Sequence, residues 1–231
     1  MMTPKKFTDY LQENHISWDA EKAQKFDLFF EYLTDINQRL NLTRITERDA
    51  VYIKHFLDSI TILSLPLSFK KKSVCDVGSG GGFPGIPLAI MEPSLHVTSV
   101  ESTGKKVKFQ MRLVDHLSLS NVDPLHARIE TVQPETLFDY VTSRAVAQVS
   151  ILVELTYRLL KPGGSMIFLK GPKLDEELNG SEEVLKRLQL EKSIYPIHID
   201  EITRFILVLK KTHDVPLKPR VYGSIKKNPL W

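Results

Sequence analysis

From Ser73 onward, short apolar runs alternate with amphipathic helical segments, and this alternation is the feature that most constrains the fold. Strand-like runs such as "SVCDV", "LHVTSVE" and "FDYVTSR" are each followed by a segment of helical period, among them "GKKVKFQMRLVDHL" and "SILVELTYRLL". Alternating β and α units favour an open, mostly parallel sheet with helices on both faces. The right-handed crossover rule narrows this α/β class to a doubly wound, Rossmann-like topology. The last two runs, "SIYPIHI" and "TRFILVLK", predict a closing pair of strands, and "LDEELNGSEEVLKRL" predicts one helix before them.

The chain before Ser68 has a helical period instead. Its "TERD" stretch (Thr46 to Asp49) resembles a capping box that would open a second helix. The sequence therefore predicts an N-terminal helical region at 1–68, a catalytic domain at 69–211 and a basic tail at 212–231. The tail composition predicts an extended arm. The apolar face of the first long helix consists of Phe26, Phe29, Phe30, Leu33, Ile36 and Leu40.

Composition sets limits on the function. A hydrophobic content of 42% and a charged content of 26% are typical of a soluble globular protein. One cysteine allows neither a disulfide framework nor a cysteine metal cluster, which fits a cytoplasmic location. The stretch "MMTPKKFTDYLQENH" has no apolar segment, so no secretory signal is expected, and no run is long enough for a membrane span. No metal is expected, and the net charge of +3 does not by itself indicate nucleic-acid binding.

The densest glycine cluster, "DVGSGGGFPG", lies directly after the first predicted strand. Its glycines match G-x-G-x-x-G, which makes a dinucleotide one candidate ligand. Asp76 favours a different ligand, because a carboxylate repels a pyrophosphate and attracts a cation. S-adenosylmethionine carries an ammonium and a sulfonium and has no phosphate. The alternative is structural: the glycines form a tight turn and Asp76 caps a helix.

A second acid, Glu101, ends the next predicted strand, where a carboxylate can accept hydrogen bonds from both ribose hydroxyls. That role suits a nicotinamide cofactor as well as S-adenosylmethionine. Asp76, the glycines and Glu101 together favour S-adenosylmethionine. A P-loop is excluded because no Gly-Lys-Ser/Thr follows the glycines.

Several motifs, in order and spacing, resemble one family. "DVGSGGGFPGIPLAI", "VESTGKKVKF", "ARIE", "VTSRAVA" and "FLKG" are similar to motifs of the small-subunit rRNA guanine-N7 methyltransferases, also called the glucose-inhibited division protein B family. "NQRLNLTRIT", "HFLDSI" and "PLKPRVYGSIKKNPL" extend the resemblance over nearly the whole chain. It implies a class I methyltransferase fold with S-adenosylmethionine as cofactor. It also implies methylation of N7 of a guanine in a decoding-region stem-loop of 16S rRNA.

The resemblance also implies roles for individual residues. Gly78 and Phe83 would lie against the cofactor, Ile129 and Glu130 would contact its adenine, and Arg144 would be a further cofactor contact. Phe83 has the alternative of a core aromatic under the loop, and Arg144 that of a structural salt bridge. The predicted cofactor-binding residues are thus Asp76, Gly78, Gly80, Phe83, Glu101, Ile129, Glu130 and Arg144.

Methylation at N7 needs neither a general base nor a nucleophilic cysteine, and the sequence indicates neither. The N7 atom already exposes a lone pair, so in-line attack on the methyl group requires no general base. Methylation at cytosine C5 would require a cysteine nucleophile, and Cys75 is expected to point into the core. Enzymes that methylate an exocyclic amine usually carry an Asn/Asp-Pro-Pro-aromatic motif after the fourth strand. This chain has "SRAVA" at that place. No acid or base is assigned, and Arg144 and Lys170 are candidates for positioning.

Basic residues predict the RNA-binding surface. Charged runs are often solvated faces, but phosphate contacts by lysine and arginine also position RNA. The partner would be 16S rRNA in the small ribosomal subunit or its precursor, with the protein acting as a monomer. His55, Asp58 and Ser59 share one helix face and either border the substrate or bridge to the catalytic domain. The RNA-binding candidates are Lys105, Lys106, Lys108, Arg112, Lys173 and Arg220, with Lys218, Lys226 and Lys227 as further tail cations.

Three other functions stay open at this point. A class I methyltransferase acting on a protein or a small molecule would bind its substrate with little salt dependence. A ribosome-assembly factor that kept only the cofactor loop would bind RNA without transferring methyl groups. A nicotinamide-dependent oxidoreductase is disfavoured by Asp76.

Overall fold

The computed structural model describes residues 3–133, 135, 137–199, 202–217 and 220–227. Seven strands form one sheet in the order β3-β2-β1-β4-β5-β7-β6. Strands β1 to β5 pair in parallel, and β7 runs antiparallel to both β5 and β6. The strands are β1 (Ser73–Val77), β2 (His96–Glu101), β3 (Val122–His126), β4 (Phe138–Arg144), β5 (Leu160–Lys170), β6 (Leu190–Ile199) and β7 (Ile202–Lys211).

Helices precede the sheet and connect its strands. A π-helical stretch at Tyr52–Leu57 joins α3 to α4, and 3-10 turns lie at Thr61–Ser64, Ile129–Thr131 and Tyr157–Leu159. The helices are α1 (Lys5–Glu13), α2 (Ala20–Leu40), α3 (Arg48–Val51), α4 (Asp58–Ile60), α5 (Gly85–Met91), α6 (Gly104–His116), α7 (Val149–Thr156), α8 (Leu174–Asn179), α9 (Glu182–Arg187) and α10 (Tyr222–Lys227).

The strand order confirms the predicted doubly wound topology and locates the ligand crevice. The chain winds outward from β1 in one direction through β2 and β3 and in the other through β4 and β5. Asp76 of β1 is opposite Ser99 of β2 and Thr142 of β4, so the order reverses at β1 and β4. In open α/β sheets, ligands bind beyond the carboxyl ends of the strands at this reversal. The glycine cluster follows β1 at that edge.

The N-terminal helices pack on one face of the sheet. Phe7 of α1, Phe26 of α2 and Phe56 of the π-helical stretch have no exposed surface, and all three lie in one hydrophobic cluster with Val74 and Ile167 of the sheet. Because this cluster is shared, the helices stabilise the sheet rather than forming a core of their own. The division at residue 68 therefore stays a prediction.

Some local predictions were wrong. Glu47, not Thr46, precedes α3, and it forms no capping hydrogen bond through its side chain. The segment predicted as one helix divides into α8 and α9 around Gly180. Gly180 interrupts the segment because glycine has a low helix propensity. The hydroxyl of Ser181 also donates a hydrogen bond to the carbonyl of Glu177 at 2.6 Å, so a side chain satisfies a carbonyl in the last turn of α8.

The tail is not extended throughout. Helix α10 packs against α7, and its Ile225 is completely buried. Lys218 lies outside the described residues. Within the described parts of the chain, no helix is long and apolar enough to cross a membrane, and no three His, Cys, Asp or Glu side chains are grouped so as to hold a metal ion.

Candidate cofactor and substrate site

The loop after β1 turns sharply around glycines in left-handed conformations. Gly78 has φ +69° and donates its amide to the carbonyl of Val100 on β2 at 2.9 Å. A Cβ at Gly78 would lie 2.5 Å from Cγ2 of Val146, so both the backbone angle and the close approach exclude a larger residue. Gly78 and Gly80 are partly exposed at the carboxyl edge of the sheet, whereas the rest of the loop from 79 to 85 is buried.

Asp76 is completely buried beneath this loop. Its Oδ2 accepts a hydrogen bond from the amide of Gly85, the first residue of α5, at 2.8 Å. Its Oδ1 is buried and has no partner among the described residues. Burial raises the pKa of the carboxyl to about 7, against the opposing effect of the Gly85 hydrogen bond. The structure thus assigns Asp76 a helix-capping contact, and its direct contact with a cofactor stays a prediction.

Glu101 connects the end of β2 to the glycine loop. Its Oε2 accepts the amide of Gly80 at 3.0 Å and its Oε1 accepts the amide of Thr103 at 2.8 Å. A carboxylate has about four acceptor positions, so lone pairs remain for ribose hydroxyls. Only 5% of Glu101 is exposed, which keeps its orientation fixed.

A cavity of about 240 Å³ lies beside this loop and contains the predicted adenine contacts. Ile129 and Glu130 form part of its wall, as do Gly78 and Val100. Arg158 donates to the carbonyl of Ile129 at 2.8 Å and to that of Val132 at 2.6 Å, which fixes the 3-10 turn on which the two contacts lie. Sequence analysis missed Arg158, because an arginine near a helix end has no motif that marks it.

A second, larger cavity of about 560 Å³ adjoins the first. Val146 lines both cavities, so they share part of their wall. The larger cavity is bordered by the ends of β4 and β5 and by the π-helical stretch. Its charged lining residues are Lys54, Asp58, Arg144, Lys170, Glu177 and Arg204.

Arg144 lies at the centre of an ion-pair and aromatic cluster. Its Nη1 is 3.0 Å from Oδ2 of Asp58, and Nε of Arg204 is 3.6 Å from Oδ1 of the same carboxylate. The Arg144 guanidinium also lies over the Phe83 ring, 4.8 Å from its centroid. The predicted bridge from Asp58 to the catalytic domain is present, and it holds Arg144 at the wall of the larger cavity.

Phe83 packs inside the protein rather than against either cavity. Its ring stacks on Phe29 at 5.3 Å and on His55 at 4.9 Å, and 6% of the residue is exposed. This arrangement matches the core-aromatic alternative, and cofactor contact by Phe83 stays a prediction. Burial and the nearby Arg144 lower the pKa of His55 to about 4, so this imidazole is neutral at pH 7.

Lys170, at the end of β5, holds the loop after β4. Its Nζ donates to Oε2 of Glu177 at 2.7 Å and to the carbonyl of Ala147 at 2.8 Å. Glu177 also accepts the amide of Val149 at 3.1 Å, so the end of the loop that leads into α7 is attached to this pair of side chains. The contacts that the structure describes for Lys170 are with Glu177 and the Ala147 carbonyl, so its role there is to position the loop.

The predicted RNA-binding residues do not share one environment. Lys105, Lys108 and Arg112 lie at helical spacing on the exposed face of α6 and border a groove with Tyr32 and Phe109. Lys106 is partly buried on the same helix, and Lys173 is exposed before α8. Arg220 pairs with Glu154 at 3.0 Å, so its guanidinium has a partner within the protein. The RNA-binding role of all six stays a prediction.

The buried cysteine is confirmed as a core residue. Cys75 has no exposed surface, and burial raises the pKa of its thiol far above the ordinary value, with Asp76 adding to the shift. A nucleophilic cysteine must form a thiolate. Cys75 is therefore structural.

Solved structures that share this fold include methyltransferases. An O-methyltransferase from Bacillus cereus, in complex with SAH, superposes with a TM-score of 0.59 at 14% identity, covering 88% of this chain and 96% of the other. A SAM-dependent methyltransferase from Aquifex aeolicus gives a TM-score of 0.57 at 17% identity, covering 74% and 97%. The fold is that of the class I S-adenosylmethionine-dependent methyltransferases.

Sequence comparison identifies the family. Residues 22–206 match the model of the GidB family, described as rRNA small subunit methyltransferase G. The chain is 39% identical to ribosomal RNA small subunit methyltransferase G of Lactobacillus acidophilus, over 99% of this chain and 100% of the relative. It is 38% identical to the protein of that name in Bacillus subtilis (strain 168), over 99% of each. The chain therefore belongs to the rRNA small subunit methyltransferase G family.

Proposed function

We propose that this protein transfers a methyl group from S-adenosylmethionine to N7 of a guanine in the decoding-region stem-loop of 16S rRNA. The observation that carries the proposal is the state of the acids in the larger cavity. Asp58 is paired with Arg144 and Arg204, and Glu177 with Lys170. Neither carboxylate is free to act as a base, and N7 methylation requires none.

The imidazole of His55, also in the cavity wall, has partners within the protein. Its Nε2 is 2.8 Å from Oγ1 of Thr43, and its Nδ1 is 3.4 Å from Arg144. With a pKa of about 4 it is a weak base. Reactions that require proton removal, such as methylation of an exocyclic amine, are therefore less well supported by this site than methylation at N7.

The residues of the smaller cavity fit S-adenosylmethionine. Gly78 presents loop backbone to the cavity, and the Ile129 side chain offers an apolar surface to a purine. The Glu130 carboxylate can accept a hydrogen bond from the adenine amino group. The unpartnered Oδ1 of Asp76 lies under the loop, and the carboxyl, once ionised, would attract a ligand bearing an ammonium and a sulfonium. When bound, S-adenosylmethionine supplies an electrophilic methyl group.

The protein then contributes position rather than proton transfer. Arg144, held by Asp58, lies at the wall of the larger, proposed substrate cavity and can bind a carboxylate, a phosphate or guanine O6. It does not also bind N7, which must keep its lone pair free. Orientation of this kind can supply roughly 7–11 kcal/mol of the barrier reduction.

The target guanine must leave its stack to reach the larger cavity. The cations on α6 and the exposed Lys173 are proposed to bind the surrounding phosphates, which would make RNA binding sensitive to salt. The substrate is proposed to be the small ribosomal subunit or its precursor, in the cytoplasm, with the protein acting as a monomer.

The proposal is tested with labelled S-adenosylmethionine and separate substrates: 30S particles, 50S particles, tRNA and bulk protein from a strain lacking this gene. We expect label only in 30S material, recovered as 7-methylguanosine at one position of 16S rRNA. Label in another substrate or at another atom would contradict the proposed specificity. Binding of S-adenosylmethionine without any transfer would favour an assembly factor.

A further inference from the structure

The segment 220–227 is attached to the catalytic domain at two points. The Ile225 side chain is completely buried in the cluster that contains α7 and the inner strands. Nη1 of Arg220 lies 3.0 Å from Oε1 of Glu154, whose side chain is only 2% exposed. A buried carboxylate paired with an arginine is costly to separate, so this contact fixes where the segment begins.

These attachments place Tyr222 at the predicted adenine cavity. Tyr222 lines the smaller cavity together with Ile129 and Glu130. Its backbone amide donates to Oε1 of Glu130 at 3.2 Å. The carboxylate expected to contact the adenine is therefore oriented by the C-terminal segment, 92 residues further along the chain.

We propose that Tyr222 is a cofactor-binding residue and that docking of segment 220–227 is coupled to occupancy of the smaller cavity. The Tyr222 ring forms a wall beside the adenine, and its amide fixes the acceptor oxygen of Glu130. The inference rests on the proposed placement of S-adenosylmethionine in this cavity.

The coupling has a consequence for the RNA side of the reaction. Lys226 and Lys227 are exposed at the end of α10, within five residues of Tyr222 in sequence. Whatever stabilises the docked segment also fixes the position of these two cations. By reciprocity, a cofactor that favours docking is itself bound more tightly when the segment is docked.

The binding test uses S-adenosylhomocysteine, the demethylated product, and isothermal titration of the full chain. Tyr222→Ala removes the ring, and we expect Kd to rise about tenfold, equivalent to ~1.4 kcal/mol. Tyr222→Phe keeps the ring and should stay within about twofold of the parent protein. Tyr195→Ala is the matched control: Tyr195 is a partly buried tyrosine on β6 that lines neither cavity, and its replacement should leave Kd unchanged.

The coupling is tested by proteolysis. With saturating S-adenosylhomocysteine, trypsin cleavage after Lys226 should slow at least fivefold, whereas cleavage after Lys71, in an exposed turn, should not change. Ile225→Ser, which disrupts docking, should abolish the protection and raise Kd. If Tyr222→Ala and Ile225→Ser both keep the parent Kd and the ligand gives no protection, the proposal is wrong.

Because no RNA is present in either experiment, their outcome is independent of the RNA substrate. Reduced affinity in Tyr222→Ala supports the cofactor-wall role even if the methylated nucleotide proves to be another one. Conversely, 7-methylguanosine formation by the parent protein with unchanged Kd in Tyr222→Ala would overturn this inference alone.

Discussion

The guanidinium of Arg144 lies 3.0 Å from the carboxylate of Asp58, a residue 86 positions earlier in the chain. Arg144 is the last residue of β4, and Asp58 is the first residue of α4, one of the helices that pack on the sheet. The side chains are 16% and 9% exposed, so the pair is largely shielded from water. The N-terminal helices therefore supply part of the wall of the larger cavity.

Asp58→Asn should weaken cofactor and substrate positioning together. Without the carboxylate, Arg144 and Arg204 have no shared partner, and breaking a buried pair on one side costs about 3 kcal/mol of stability. We expect kcat/KM for methyl transfer to fall about 10- to 100-fold in radiolabel assays. Asp49→Asn, on α3 and outside both cavities, is the control for removal of a charge in this region. Wild-type kcat/KM in Asp58→Asn would refute the positioning role.

Asp76→Asn should change the pH dependence of stability. Burial raises the pKa of this carboxyl from 3.8 to about 7, so the fold favours the neutral form. Its contribution to the free energy of unfolding is fully present below pH 3.8, is lost as pH rises through about 7, and is constant above that. The amide is neutral throughout. The stability of the variant relative to the parent should therefore increase between pH 4 and 7 in urea denaturation.

The same variant separates the structural role of Asp76 from a role in binding. If the carboxylate attracts the sulfonium and ammonium of S-adenosylmethionine, affinity should be lower in Asp76→Asn at pH 8. Asp175→Asn, an exposed residue of α8, controls for the removal of one negative charge. Unchanged affinity alongside the altered stability curve would leave Asp76 as a helix cap only.

Arg158→Met should raise KM for S-adenosylmethionine about tenfold while kcat at saturation stays within a factor of three. The arginine fixes the turn that contains Ile129 through two carbonyl contacts, and it does not line the larger cavity, where the guanine is proposed to bind. Steady-state kinetics with saturating RNA give the two constants separately. Arg39→Met, exposed on α2, should change neither constant. A fall in kcat with constant KM would be inconsistent with this role.

Replacing the α6 cations should reduce the salt dependence of RNA binding. Removing one lysine or arginine from a phosphate lowers the slope of log K against log salt by about 0.7–0.9. We expect Lys105→Ala, Lys108→Ala and Arg112→Ala each to weaken RNA binding and flatten that slope in filter-binding titrations, without changing the Kd of S-adenosylhomocysteine. Lys186→Ala, exposed on α9, is the control, and equal effects there would point to non-specific charge.

The sequence predicted most of the fold because its strands and helices differ clearly in period. "SVCDV" and "FDYVTSR" became neighbouring strands, and the glycine loop follows β1 as expected. Side-chain direction was harder to predict. The sequence correctly predicted that Asp76 lies in the first strand. Whether its carboxylate faces a ligand or the amide of Gly85 depends on the conformation of the loop backbone, which hydrophobic periodicity does not describe.

The two cavity-related residues that the sequence did not predict, Arg158 and Tyr222, contact residues far away in the chain. Arg158 acts on backbone carbonyls almost thirty residues earlier, and Tyr222 lies in a segment whose composition indicated an extended arm. Neither contact has a local sequence pattern. The sequence left two alternatives for Asp58, a place beside the substrate or a bridge to the catalytic domain. The bridge became visible only in the tertiary structure.

Val146 lines both cavities, so its isopropyl group forms part of the wall that they share. With the cofactor in one cavity and the guanine in the other, as proposed, both reactants would lie beside this side chain, and its bulk would influence the distance between them. Val146 belongs to a loop whose end next to α7 is held by the Lys170–Glu177 pair. An ion pair that binds the backbone of this loop would therefore influence how closely the two proposed reactants approach.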